Sequence, residues 1–565
     1  MRLPRQWDNR PALDRRLTSG HAVSTAAESK LHLGAMFCRS TLLIAFAIHA
    51  IACGGSSRTP APDSGPEGGS QDQRLARDMA DQSAPDGATD ASVRPADPSF
   101  FAFDGDPFAT QPDRSEGIVS VGTIDEVLEG GAIRGACDAY FGGVDTSRRA
   151  MLRCGKEMFF YDPLGTPGIP AAILEFVLEE FADEVGDGFS NYGMIADPTT
   201  PNRLPLGLAP STPLPGDIAN HAYTCASCHF AQLPDGRYAV GAPNLSYEYG
   251  LQNLSIFIPV SFATPGASTD THHPEAVRRL QPLLEHIETD SGFQLRALGA
   301  LAPLLGDLIG GTLANPMLTT ATEGIYASWE PGTMDFLIAP LPIDDEVHTI
   351  SKISALWGIP TEGEFQARGM EAAQLGYTGN TLSLFNFVRG FIDLGGGDLS
   401  AFPDERLEPL VEYIYSLRAP QGPTQDASQV AQGTTLFEDA GCAECHSGPR
   451  GSGLELYTYE AIGTDDALRR WLDHDVNGEP CCGITPQPGD RVTNAIKSPR
   501  LTGVWAFERL LHNGSVVGLE TLFCLDGARN RIPQVPYSDR GHDFTCDERL
   551  STEDREALIA FLRSI

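Results

Sequence analysis

The chain has 565 residues, with 75 acidic side chains against 40 basic ones and a formal net charge of −35. That length is a prior for two to four domains, and a hydrophobic share of 41% suffices to bury real cores. The acidity excludes nucleic acid as a partner, since phosphates would be repelled, and the 8% of aromatic residues excludes a wholly disordered chain.

In chain order, the first feature is an apolar run, Leu42–Ile48, preceded by Arg39 and followed by Ala50, Ile51, Ala52 and Cys53. A basic flank, a short apolar core and small residues before a cut describe a secretory signal over residues 1–52, with Met36 as the simplest true start. Cys53 directly after the small residues resembles the lipobox of bacterial lipoproteins, whose thiol receives the lipid. Residues 53–98 are rich in Pro, Gly, Ser and Asp and bury too little to order themselves, so they read as a flexible tether. Together these place the folded body in a bacterial cell envelope, facing the periplasm and anchored to a membrane through Cys53. Residues 99–214 carry no recognisable motif and read as an extra region that shapes a separate surface.

Cys225-Ala226-Ser227-Cys228-His229 and Cys442-Ala443-Glu444-Cys445-His446 are both C-x-x-C-H, the pattern of covalent c-type haem attachment. Two thiols form thioethers to the porphyrin vinyl groups, and the adjacent His supplies the proximal imidazole that haem iron needs. A single copy fits a zinc half-site or a redox dithiol as well; two copies in an exported chain favour two covalent haems, with His229 and His446 on the irons.

Around the second motif, Asp426 caps a predicted helix that carries Val430, Gly433 and Phe437 and ends before Gly441. Ser551-Thr552-Glu553-Asp554 opens a last helix with Leu558, Phe561, Leu562 and Ile565 on one stripe. Gly433 and Phe437 facing Leu558 and Phe561 resembles the crossed terminal helices of class I cytochromes c. Residues 408–417 read as the closing helix of the preceding haem domain. The division is therefore 99–420, an N-terminal haem domain with its extra region, and 421–565, a C-terminal cytochrome c domain. The fold class is mainly α, with long irregular loops and little β-structure.

No methionine follows the second motif, so unless the first domain lends one, the candidates for its distal ligand are His542, His512 and His474. His542 is favoured, because Gly541-His542-Asp543-Phe544 precedes the closing helix, where a returning loop covers the distal face. For the first iron, Met317, Met334, His272, His273, His286 and His348 are open candidates. Among the other cysteines, pairing Cys137 with Cys154 and Cys524 with Cys546 closes loops of modest length, with Cys481 and Cys482 left over; six thiols permit 15 connectivities.

The two haem motifs, Ile462-Gly463-Thr464-Asp465, Lys497-Ser498-Pro499-Arg500-Leu501-Thr502-Gly503-Val504-Trp505, Leu511-His512-Asn513-Gly514-Ser515 and Gly541-His542-Asp543-Phe544 carry a resemblance over residues 215–565. The chain resembles the dihaem cytochrome c peroxidase superfamily, on its branch near the haem-type rubber oxygenases. The resemblance implies a peroxidase-like oxidoreductase, with electrons entering at the C-terminal haem and reaching an oxidant at the N-terminal one. It also favours a His near the C-terminus, His542, as distal ligand, and implies a Trp between the haems, for which Trp357 is the candidate relay. The segment after Trp357 departs from the family's Trp-Asp-Gly-Arg-like string; Glu371 and Gln374 are the candidates for distal acid/base groups. The alternatives are a plain electron-transfer cytochrome with both irons six-coordinate, or an oxygenase cleaving an apolar substrate. The implied partners are a redox donor protein or small electron donor, peroxide or oxygen, and a membrane through the lipid.

Overall fold

The computed structural model describes residues 117–565 apart from 201–203, 264–265, 305–319, 336–349, 368, 371–372, 448–450, 453, 469–486, 488, 491–492, 528 and 530–536. The signal and tether (1–98), with Met36 and Cys53, lie outside the described residues, as do Met317, His348, Glu371, His474, Cys481 and Cys482. The described structure is mainly helical, and its sheets are small, of two or three antiparallel strands.

Two helix crossings organise the molecule. Helix α1 (Arg148–Tyr161) starts at Ser147, whose side chain accepts from the Ala150 N–H, and it packs on α2 (Asp404–Ser416). The contact is backbone-close: a Cβ on Gly155 would lie 1.9 Å from the Pro409 carbonyl oxygen. Phe159 meets Tyr413 edge to face at 6.1 Å. Helix α3 (Ala427–Asp439) is capped by Asp426, which accepts from the Ser428 and Gln429 amides, and crosses α4 (Thr552–Ser564). Here a Cβ on Gly433 would lie 2.0 Å from the Ala557 carbonyl, and Phe437 packs on Phe561 at 5.2 Å. Ser551 and Asp554 form the reciprocal capping box that the sequence predicts. Only glycine permits either approach, and the aromatic pair fills the groove beside it.

Helix α1 belongs to the region 99–214, in which the sequence offers no motif. This helix buries Leu152, Met158, Phe159 and Phe160 in the same apolar core as the rest of the described chain. The residues that follow it build a three-stranded sheet in the order Ile169–Pro170, Asn220–Tyr223, Leu208–Pro210, whose middle strand runs directly into the first C-x-x-C-H. A second small sheet, Val121–Gly122, Tyr238–Val240 and Phe230–Gln232, leaves that motif on its other side. The disulfides Cys137–Cys154 and Cys524–Cys546 are formed as expected. Among the described residues no helix is long and apolar enough to cross a membrane.

Candidate haem sites around a shared cavity

Each C-x-x-C-H forms one short helical turn, Cys225–His229 and Cys442–Cys445. The first is held by Thr224, whose hydroxyl donates to the Phe160 carbonyl at the end of α1 (3.1 Å). The second follows Gly441, which leaves α3 in the left-handed region (φ 79°) and turns the thiols away from it. Cys225, Cys228, Cys442 and Cys445 are unbridged. Burial pushes the Cys225 thiol up to about 12, and the Cys228 and Cys442 thiols up to about 11.

The two histidines are oriented alike. His229 Nδ1 stands 3.0 Å from the Ser354 carbonyl, and His446 Nδ1 stands 2.9 Å from that of Gly451. A carbonyl only accepts, so Nδ1 carries the proton and Nε2 keeps its lone pair for a metal, the arrangement usual for ligating imidazoles. Burial lowers both pKa values, that of His229 to about 4, so both rings are neutral near pH 7.

A cavity of about 1080 Å³ joins the motifs, lined by Cys228 and His229 from the first and by Cys442, Cys445 and His446 from the second. His542 lines it too, with its ring centre 6.1 Å from that of His446 and the planes inclined at 40°. Two imidazoles bound to one metal at about 2.0–2.1 Å per bond stand with ring centres roughly 6 Å apart, so His446 and His542 have the spacing of two residues that would hold one metal. Burial first, then the neighbouring His446 and Arg529, push His542 down to about 4, against the pull of Asp543. Its buried Nδ1 has no hydrogen-bond partner among the described residues, which is rare in a folded core. His542 adopts φ 57°, and its loop is fixed from several sides. Arg529 donates to the Asp539 and Gly541 carbonyls (3.0 and 2.9 Å) and to Asp543 (2.9 Å), while Cys546 ties the segment to Cys524. Unpaired thiols, oriented imidazoles and a common cavity fit covalent haem at both motifs.

The alternative ligands are disposed differently. His512 lines the cavity but turns Nε2 toward Asp465, 3.4 Å away. His272 is held between Ser261 and Glu323, His286 pairs with Glu184, and His273 caps the helix Pro274–Arg279. None of these three lines the cavity, whereas Met334 does.

Trp357 is fully buried, and its Nε1 donates to the Val240 carbonyl at 2.7 Å. Its ring stacks on Phe507 (6.0 Å, 18°) and lies against Gly241 and Gly503. Gly241 in turn donates its N–H to the His229 carbonyl at 2.7 Å, so the indole is one residue removed from the first motif on one side and touches the 503–507 segment on the other. Gln374 is buried behind the cavity wall, and its carbonyl accepts from Lys497. Lys352 and Lys497, both buried in the wall, were not among the candidate site residues, although Lys497 opens one of the strings that carry the resemblance.

No family model matches the chain, and no curated protein matches it. Among solved structures, a search returns hydrazine synthase of Kuenenia stuttgartiensis, at 18% identity and a TM-score of 0.25, over 44% of this chain and 82% of that one. It also returns a MauG-like protein associated with microbial copper homeostasis, at 17% identity and a TM-score of 0.19, over 28% of this chain and 55% of that one.

Proposed function

We propose that the chain is a dihaem c-type cytochrome acting as a peroxidase-like oxidoreductase, with two cytochrome c-like haem domains meeting near residues 419–426. One haem is held by Cys225, Cys228 and His229, the other by Cys442, Cys445 and His446. The observation that carries the reading is the His446–His542 pair, at metal-bridging distance in a cavity that also reaches the first motif. Bound there, the irons supply one-electron chemistry, the C-terminal one as the entry point and the N-terminal one as the place where peroxide or oxygen is reduced.

The chain's own groups shape that asymmetry. Two imidazoles close the second site from both faces. The first site has His229 on one face, and Met334 is the remaining ligand candidate for it among the described lining residues. The Ser354 and Gly451 carbonyls fix the tautomer of each proximal ring, and burial keeps water from both. Trp357, locked by its hydrogen bond to Val240, offers a π-system between the two segments and is the proposed relay. Met334 favours a second reading: ligated there, the first site is closed and the chain is an electron carrier. The donor is a redox protein or small molecule, and Cys53 is the proposed lipid anchor.

The test is expression with a working c-type maturation system, followed by mass measurement and electron paramagnetic resonance. Two haems per chain, one low-spin signal lost in His542→Ala and one high-spin signal that responds to peroxide are expected. A colourless protein overturns the reading. Two low-spin signals indifferent to peroxide and carbon monoxide leave the carrier.

A further inference from the structure

Three cations stand in the wall of the shared cavity: Lys352, Lys497 and Arg500. Both lysines are only 6% exposed. The Lys497 ammonium donates to the Gln374 carbonyl at 2.6 Å, and the Lys352 ammonium lies 5.1 Å over the Phe507 ring. Neither has a carboxylate partner among the described residues, although the chain carries 75 acidic side chains. Arg500 donates to the Trp357 and Ala355 carbonyls at 2.8 and 2.6 Å. Burial first, and then Arg500, push Lys352 down to about 8 and Lys497 down to about 7. A buried charge without a counter-charge is strongly unfavourable, and a second of the same sign in the same wall compounds it. Such a wall calls for anions inside the cavity.

Each lysine is tied to one motif. Lys352 ends the strand Ile350–Lys352, two residues before Ser354, whose carbonyl orients His229. Lys497 precedes Ser498, whose hydroxyl donates to the Cys445 carbonyl at 2.6 Å. Arg500 lies between them, gripping the loop that carries Trp357. We propose that this wall is the receptor for the haem carboxylates, Lys352 for the haem at His229 and Lys497 for the haem at His446, with Arg500 supplying charge to both. The proposal rests on the reading that haems are attached at both motifs. It makes the three side chains positioning residues that fix the orientation of each ring and raise both reduction potentials, because fixed positive charge favours the reduced form.

The experiment uses the full haem-loaded chain and compares Lys352→Met, Lys497→Met, their Gln counterparts and the charge-keeping Lys497→Arg. Haem content is read by mass, and each midpoint by spectroelectrochemical titration. Lys497→Met is expected to move the midpoint of the low-spin, His542-dependent centre downward, Lys352→Met that of the other, and Lys497→Arg neither. The Gln variants keep a hydrogen-bonding head and give the same answer if Met prevents folding. Wild-type midpoints in variants that keep both haems overturn the proposal. A saturable spectral shift on adding benzoate to the wild type, lost in the lysine variants, also overturns it, since the wall then takes a free anion. A wild-type chain without haem sinks the underlying reading instead, and its mass shows that before any midpoint is measured.

Discussion

The crossing of α1 on α2 and that of α3 on α4 use the same parts. A glycine lets backbone approach backbone, and an aromatic one turn later meets an aromatic on the partner helix. They differ in what comes next. α3 passes into its thiols through Ala440 and Gly441, whereas α1 is separated from Cys225 by two α-helices, a 3-10 helix and a whole three-stranded sheet. The second motif is therefore positioned by its own helix, and the first by the strand Asn220–Tyr223 and the Thr224 bond back to Phe160. Covalent attachment asks only that two thiols and an imidazole arrive together, and either route delivers them.

Removing the thiols breaks the comparison most directly. Cys225→Ala with Cys228→Ala, and Cys442→Ala with Cys445→Ala, are each expected to lower the measured mass by one haem; a pair that leaves it unchanged excludes its motif from attachment. Next come the aromatic keystones. Phe159→Ala and Phe437→Ala are each expected to destabilise by about 3–5 kcal/mol in denaturant melts, as buried Phe truncations do. Equal losses make the crossings equivalent, and a null result at Phe159 demotes α1 to decoration.

The disulfides sharpen the contrast. Cys137–Cys154 and Cys524–Cys546 span 17 and 22 residues, so opening either is expected to remove a similar stabilisation, about 3 kcal/mol. Opening the second also frees the His542 loop, so weakening of the low-spin signal is expected there alone. The smallest effect lies at the caps. Ser551→Ala and Ser147→Ala are each expected to lower stability by about 1 kcal/mol, with Ser551 the larger because its hydroxyl both accepts from the Asp554 amide and donates to the Asp554 carboxylate.

Local chemistry made the second region legible in the sequence. Asp426, Gly433, Phe437, Ser551 and Phe561 sit at helical spacing around a motif that announces itself, and the helix over 408–417 follows from its apolar stripe. Gly155 and Phe159 repeat the same glycine–aromatic step, but the neighbouring Cys154 belongs to a disulfide and not to a C-x-x-C-H, and α1 alone reads as any half-buried helix. The Cys137 and Cys524 pairings were within reach because their loops are short, although spacing alone left other connectivities open. His542 stood out from its position before the closing helix. Nothing in the sequence set His272 and His286 aside as ligands of the first iron, since their partners Glu323 and Glu184 are distant in the chain. The burial of Lys352 and Lys497 was invisible for the same reason: it is a property of the whole fold.

The backbone contact at Gly155 also bears on the order of assembly. Its partner Pro409 is made about 250 residues later, and at roughly 5–20 residues per second the nascent chain waits tens of seconds before that contact can form. The paired elements α3 and α4 are separated by about half as much chain, a difference worth only about 0.6 kcal/mol in closure entropy. The delay is thus kinetic and not thermodynamic. Until that contact forms, the segment carrying Cys225 and Cys228 lacks the α1–α2 crossing to which Thr224 ties it.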